Sequence, residues 1–144
     1  MTNDDLNIDK KDFLGRGWAW PVRLDPLTGL VATTAYEEDI RQSILIILET
    51  ASGERVMRPN FGCGIHEHVF TALDSTNIQR IRSVVEEALR RCEARIEVLE
   101  VKVDEDATTE GKLLVELEYR VRKTNQQDNL VFPFYTIPED GSDY

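Results

Sequence analysis

The stretch Leu113–Val121, which reads LLVELEYRV, decides the predicted fold. Apolar residues occupy every second position of this stretch, and mostly charged residues lie between them. This period of two predicts an antiparallel strand with one face on a core and the other in water. The preceding stretch Ile96–Val103 is rich in β-branched residues and predicts a second strand. Its apolar alternation slips between Val98 and Leu99, which predicts a bulge, and an acidic loop over residues 104–111 joins the two strands as a hairpin.

A further strand is predicted at Asn129–Thr136. Pro133 lies inside it and has no N–H for a central ladder, so this strand is expected at a sheet edge or at a bulge. An edge offers backbone N–H and C=O groups that a partner chain can extend by adding a strand. Because an apolar run on an exposed edge favours aggregation, we expect Val131 and its alternating neighbours to face the core. The candidate strand-addition site comprises four residues: Asn129, Leu130, Val131 and Phe132.

Two amphipathic helices precede these strands. Thr34 and Glu37 fit a capping box at the start of the first helix, which isoleucines at helical spacing continue. The second helix covers residues 74–92 and has one apolar face. Upstream, residues 17–33 predict two short strands around a turn. This order of elements predicts an α+β fold, in which a small antiparallel sheet packs against two main helices in a single domain.

The composition excludes several classes of function. The chain has 144 residues, 27 of them acidic and 17 basic, and a formal charge of −10, which argues against nucleic-acid binding and against an anionic membrane surface. No apolar run approaches the roughly 18 residues of a membrane-spanning helix, and no secretory signal follows Met1, so we expect synthesis in a cytoplasm. Three segments are predicted: a mobile acidic arm over residues 1–12, a folded domain over 13–137 and an acidic tail over 138–144.

Cys63, His66 and His68 are the residues that could suggest a metal site. Structural zinc needs four ligands in paired spacings, and this stretch supplies only C-x2-H-x-H, so no metal and no cofactor is predicted. The chain has no G-x-S-x-G nucleophile elbow, and nothing singles out one carboxylate pair among its 27 acidic residues. The residues therefore predict no catalytic site.

Glu93-Ala94-Arg95 lies at the predicted end of the second helix. A carboxylate at a helix C-terminus is unfavourable by about 0.3–1 kcal/mol, and the nearby cation of Arg95 offsets this cost. Two interpretations stay open. The pair is either a surface ion pair worth under about 1 kcal/mol, or it is presented to a partner protein that the planar guanidinium binds bidentately.

Several blocks along the chain share a characteristic order and spacing: Phe13-Leu14-Gly15-Arg16-Gly17-Trp18 with Pro21-Val22, Asp39-Ile40-Arg41-Gln42-Ser43-Ile44, Gly53-Glu54-Arg55 with Met57-Arg58-Pro59, Phe61-Gly62-Cys63-Gly64-Ile65, Glu93-x-Arg95-Ile96 and Pro133-Phe134-Tyr135. In these blocks the chain resembles the lysozyme-like baseplate wedge family of contractile phage tails, type VI secretion systems and extracellular contractile injection particles. The resemblance implies a structural, non-enzymatic subunit that lies near the central tube, joins the wedge scaffold and provides the platform on which the sheath starts to polymerise.

The resemblance also implies a role for Glu93 and Arg95, which occupy the family's Glu-Pro-Arg motif and would contact the wedge core. This chain has Ala94 in place of the proline, and because alanine does not force the preceding residue out of the helical region, the helix is predicted to run further toward Ile96. The implied partners are wedge scaffold proteins, the sheath protein and tube or hub proteins. Two alternatives from other classes stay open, a cell-wall hydrolase and a soluble regulatory adaptor domain.

Overall fold

The computed structural model of the chain describes residues 14–68 and 74–135. The chain divides into two compact units between Ile46 and Ile47, a boundary that falls within the first of its two main helices. In chain order the elements are β1 (Arg16–Trp18), β2 (Thr33–Ala35), α1 (Tyr36–Glu49), a 3-10 helix (Gly64–His68), α2 (Ser75–Cys92), β3 (Ile96–Glu105), β4 (Lys112–Val121) and β5 (Gln126–Tyr135). Two main helices with small antiparallel sheets confirm the predicted α+β class. The segment boundaries predicted at residues 12–13 and 137–138 lie outside the described residues.

The first unit is built on β1 and β2, which pair antiparallel with Gly17 opposite Thr34. The turn predicted between the two strands is confirmed. Gly29 N–H donates to Asp25 O at 2.8 Å, and Gly29 adopts a φ of +69°, a conformation that favours glycine. The strands are shorter than predicted, because the residues that flank this turn form only an isolated bridge.

α1 begins at Tyr36, so the capping box predicted at Thr34 is wrong. Thr34 lies in β2, where it pairs with Gly17 and is too early in the chain to cap the helix. Tyr36 turns the chain from strand to helix with a φ of +63°. Gly17 permits this close approach, because a Cβ at this position would lie 2.6 Å from Asp39 Oδ1 in the first turn of α1. The predicted apolar stripe is buried along α1 and includes Ile40, Ile44, Ile47 and Leu48.

α2 begins where the sequence predicts. Asp74 is its N-cap, and Asp74 Oδ1 accepts a hydrogen bond from Asn77 N–H at 2.8 Å. The apolar face of α2 packs against β3 and against the 3-10 helix, and its buried residues are Ile81, Val85, Ala88 and Leu89. Neither α2 nor any other helix of the described residues is long and apolar enough to cross a bilayer.

The second unit contains an antiparallel sheet in the order β3-β4-β5. The alternation that predicted its central strand is confirmed, because one face of β4 is buried at Leu113, Val115, Leu117, Tyr119 and Val121. The predicted bulge in β3 is confirmed as a register shift between Val98 and Glu100. Among the described residues β5 is an edge strand, as Pro133 predicts, and Pro133 pairs with Leu114.

The orientation predicted for β5 is wrong. Val131 is 50% exposed, whereas Leu130, Phe132 and Phe134 are buried. Only one parity of an edge strand can face the core, and the parity with two phenylalanines and a leucine buries more apolar area than the parity of Val131 and Tyr135. The sheet therefore turns Val131 outward.

The hairpin between β3 and β4 closes on the carboxylate of Asp106. This carboxylate accepts hydrogen bonds from Lys112 Nζ at 2.7 Å, from Thr108 N–H at 2.9 Å and from Thr108 Oγ1 at 2.7 Å. The hydrogen bond from Lys112, followed by those from Thr108, holds the pKa of Asp106 well below its usual range.

We expect Asp106→Asn to lower the free energy of unfolding near pH 7, and we expect this loss to shrink as the pH falls. A depressed folded-state pKa means that the carboxylate stabilises the fold fully above its unfolded-state pKa of about 4 and loses this contribution as the pH falls toward the folded-state value. Urea unfolding of both proteins at about pH 7, 4 and 3 checks the expectation. A difference in unfolding free energy that stays constant across these pH values would contradict it.

Candidate partner-binding site

Glu93 ends α2 and folds back onto the chain that follows. It is the C-cap residue, with an extended backbone, and its N–H donates to Leu89 O at 2.9 Å. Its side chain is 5% exposed. Glu93 Oε1 accepts hydrogen bonds from Arg95 N–H at 3.2 Å and from Arg95 Nε at 2.8 Å, and Glu93 Oε2 accepts one from Arg95 Nη2 at 2.8 Å. The bidentate guanidinium thus supplies the cation that a carboxylate at the negative end of a helix requires.

Arg95 also connects the end of α2 to the sheet. Its C=O accepts from Arg122 N–H at 2.9 Å, and the next carbonyl, that of Ile96, accepts from Arg122 Nε at 3.0 Å. The Arg95 side chain remains 30% exposed. The Glu93–Arg95 pair therefore holds the corner between α2 and β3, and part of the Arg95 side chain remains at the surface.

Ala94 does not extend the helix, contrary to the prediction from its replacing proline. α2 ends at Cys92, and the corner is fixed by the three hydrogen bonds that Arg95 donates to the Glu93 carboxylate. Of the two interpretations left open by the sequence, a simple surface ion pair is wrong, because Glu93 is buried. Contact of the pair with another protein stays a prediction.

The second candidate region is the outer edge of β5. Pro133 has no N–H and lies opposite Leu114, so this pair is one that exchanges no ladder hydrogen bonds. Because hydrogen-bonded and non-hydrogen-bonded pairs alternate, we infer that every second residue of β5 counted from Pro133 directs its N–H away from β4. Val131 and Asn129 share this parity and are exposed. Asn129 N–H donates to Asp128 Oδ1 at 2.8 Å. Val131 is therefore the central position at which the edge backbone can take a further strand.

Two of the four side chains predicted on this edge face the core instead. Leu130 and Phe132 are buried on the inner face of the sheet, so an added strand would meet Asn129 and Val131. β4 lies between β5 and β3, so the outer edge of β5 and Arg95, which precedes β3, lie on opposite sides of the central strand. The structure thus does not bring the two predicted regions together.

The segment that contains Cys63 and His66 is part of the packing around the sheet. Cys63 is fully buried, and burial raises the pKa of its thiol to about 11. His66 Nε2 lies within hydrogen-bond distance of Leu48 O, at 3.1 Å, and the imidazole packs edge-on against the ring of Phe134. In residues 14–68 and 74–135, no group of three or more histidine, cysteine, aspartate or glutamate side chains could hold a metal ion.

We expect the two cysteines to react very differently with iodoacetamide. At about pH 8 the Cys63 thiol is buried and protonated, whereas Cys92 is partly exposed. Native protein should therefore be alkylated at Cys92 alone, and at both thiols after denaturation. Peptide mapping by mass spectrometry measures this, and alkylation of Cys63 in native protein at a rate similar to that of Cys92 would contradict its burial.

One surface feature carries no signal in the periodicity of the sequence. In the loop between α1 and the 3-10 helix, Val56 and Met57 are 93% and 90% exposed, and Arg55 and Arg58 flank them. Two apolar residues between arginines in a loop with glycine and proline are visible in the sequence, but an irregular segment has no period that predicts which of its side chains are exposed.

Comparison with known proteins points to one family. Residues 34–126 match the sequence profile of baseplate wedge protein gp25. Baseplate wedge protein gp25 of Enterobacteria phage T4 is 32% identical over 82 residues, which are 57% of this chain and 61% of the phage protein. The matched part thus spans less than two thirds of the length of that relative.

Two solved structures share the fold at appreciable sequence identity. A Geobacter sulfurreducens protein described provisionally as a tail lysozyme is 54% identical, covers 70% of this chain and 91% of its own, and has a TM-score of 0.66. A chain of the anti-feeding prophage baseplate is 27% identical, covers 91% of this chain and 93% of its own, and has a TM-score of 0.64. These matches confirm the resemblance that the sequence blocks indicate.

Proposed function

The chain belongs to the baseplate wedge protein gp25 family, and from this premise we propose that it is a structural wedge subunit of a contractile tail or injection particle. It joins the wedge scaffold and provides the first platform for the sheath. The observation that carries this proposal is the outer edge of β5. There the backbone pairs with no further strand of the described residues, while the inner face of the sheet is buried.

Strand addition is the contact that this edge supports. β5 pairs with β4 along its whole length, from Gln126 to Tyr135, so its backbone is already extended before a partner binds. An added strand gains main-chain hydrogen bonds there and apolar contacts to Val131 and Tyr135, both of which are exposed. We assign this strand to the sheath protein, the partner that the family resemblance implies.

The Glu93–Arg95 pair is assigned to the wedge scaffold. Its guanidinium is held in one orientation by the buried Glu93 carboxylate, so little side-chain entropy is lost when a partner docks on the exposed part of Arg95. Tube or hub proteins are further partners, since a wedge subunit that supports the sheath lies near the central tube.

A cell-wall hydrolase is the second candidate, because the Geobacter relative is described as a tail lysozyme. A glycosidase needs two carboxyl groups about 5 to 9.5 Å apart, one of them with a raised pKa. We expect the purified chain to release no more product from peptidoglycan than a heat-denatured sample does. Turnover that disappears in one folded Glu or Asp variant would establish the hydrolase instead.

A regulatory adaptor, the third alternative, would be favoured by genomic neighbours that encode no sheath or tube proteins.

Deleting the gene in its host tests the baseplate role. We expect the deletion strain to contain no sheathed particles by negative-stain electron microscopy, and we expect the full-length chain supplied from a plasmid to restore them. The restored particles should contain the chain by mass spectrometry. Sheathed particles of normal number and length in the deletion strain would overturn the proposal.

A further inference from the structure

The loop between α1 and the 3-10 helix exposes two apolar side chains next to arginines. The two side chains are those of Val56 and Met57, and both are almost fully exposed. The Arg55 and Arg58 guanidinium groups lie over the ring of Phe61, 4.0 and 5.2 Å from its centroid. These five residues are named the arginine tip.

Hydrogen bonds hold the arginine tip in one conformation. Arg58 N–H donates to Arg55 O at 3.2 Å, and Phe61 N–H donates to Arg58 O at 3.0 Å. At the base of the loop, Gly53 N–H donates to Pro59 O at 3.1 Å. The two apolar side chains are thus held outward before any partner binds, and a preorganised loop loses little entropy on binding.

α2 places a third cation beside the arginine tip. Arg91 Nε donates to Asn60 O at 2.9 Å, and Arg91 Nη2 donates to Gly62 O at 3.2 Å, which fastens the loop to the helix. Arg91, Met57 and Arg58 line one cleft of about 330 Å³. This cleft therefore has both an apolar wall and cationic walls.

The cations of this surface take part in no ion pair with the carboxylates of residues 14–68 and 74–135. Within the part of the chain that the structure describes, none of the ion pairs involves Arg55, Arg58 or Arg91. Glu54, the carboxylate nearest in sequence, accepts a hydrogen bond from Ala51 N–H at 2.9 Å instead. In a chain with a net charge of −10, a cluster of arginines around exposed apolar side chains is complementary to a ligand of the opposite charge.

We propose that the arginine tip docks an acidic segment of a neighbouring baseplate protein. Carboxylates of that segment pair with Arg55 and Arg58, which bind such groups bidentately, and an apolar side chain of the segment covers Met57. The inference rests on the proposed baseplate role, but it uses residues distinct from those of the β5 edge and of the Glu93–Arg95 pair.

Photocrosslinking in assembled particles tests the proposal. The full-length chain carries p-benzoylphenylalanine in place of Met57, and crosslinked peptides are identified by mass spectrometry. The expected product is a peptide of net negative charge from another baseplate protein. A crosslink to residues 1–13 or 136–144 of this chain, to a second copy, or to a neutral or basic peptide would overturn the proposal. Particles that contain the chain but give no crosslink would overturn it too, whereas absence of the chain from particles would overturn the baseplate role.

Charge reversal then tests the chemistry of the contact. The crosslinked peptide is synthesised and titrated against the purified full-length chain. We expect the double substitution Arg55→Glu and Arg58→Glu to weaken binding at least about tenfold, because two attractions become repulsions. The control is Arg23→Glu with Arg80→Glu, which makes the same change in net charge at two exposed positions. An equal loss in the control, or no loss in the test variant, would overturn specific docking at the arginine tip.

Discussion

A Val131→Pro variant is expected to fold and yet to leave its host without sheathed particles. Val131 has the same parity as Pro133 on β5, so the substitution removes an N–H that points away from β4 and leaves the ladder between the two strands intact. The loss in unfolding free energy should be about 1 kcal/mol, as for most single substitutions. An incoming strand, by contrast, loses a hydrogen bond at the centre of the edge and meets a proline ring there.

Two comparison variants sharpen this experiment. Val131→Thr keeps both the N–H and the branched shape, so it should support normal sheathed particles. Phe132→Pro removes a buried ring and an N–H of the opposite parity, so it should unfold the chain. Thermal melting of the purified proteins and electron microscopy of particles give the two measurements. Normal particles from Val131→Pro at wild-type protein levels would exclude strand addition at this position.

Arg95→Ala is expected to give the largest loss of stability among the surface-accessible substitutions considered. It removes both side-chain hydrogen bonds to the Glu93 carboxylate and leaves that buried charge without the Arg95 cation. Breaking a buried pair costs about 3–5 kcal/mol, and because Arg95 is partly exposed we expect the lower end, about 3 kcal/mol. The melting temperature should fall by about 10 °C. Arg120→Ala is the matched control, since Arg120 is about as exposed as Arg95 but its partner Glu97 is 43% exposed, so that water can solvate the carboxylate left behind.

A double variant separates the structural role of this pair from its contact with the wedge scaffold. Replacing Glu93 and Arg95 together by methionine removes both charges of the pair, so most of the lost stability should return. We still expect the double variant to fail in a pull-down with co-expressed wedge scaffold proteins, because the partly exposed cation of Arg95 is gone. A stable double variant that is captured as well as wild type would restrict the pair to an intramolecular role.

The sequence predicts the orientation of a strand where apolar and polar residues alternate within that strand. In β4 every second residue is apolar, so a single orientation buries all of them. β5 lacks such a pattern, because Leu130, Val131 and Phe132 are apolar in succession and either parity could face the core. Pairing with β4 decides between the two parities, and that pairing is not visible in the strand itself.

The candidate site shows the same division. Glu93 and Arg95 could be selected from their chemistry and from a motif, but neither the burial of Glu93 nor the hydrogen bond from Arg122 N–H to Arg95 O is visible in the local sequence. Thr34 failed as a helix cap for a related reason, since its partner Gly17 lies in another strand. Local spacing indicates which residues are candidates, and contacts between segments distant in sequence determine the burial and the role of each one.

The bulge between Val98 and Glu100 makes the two outer strands of the sheet different from each other. β3 and β5 are its outer strands, but β5 follows β4 without a register shift, whereas β3 is interrupted. A bulge turns an edge away from a regular row of donors and acceptors. A strand from another molecule would therefore meet an interrupted register on the β3 side and an uninterrupted register on the β5 side, where Pro133 alone lacks an N–H. We therefore expect a partner that adds a strand to extend the sheet from β5 and not from β3.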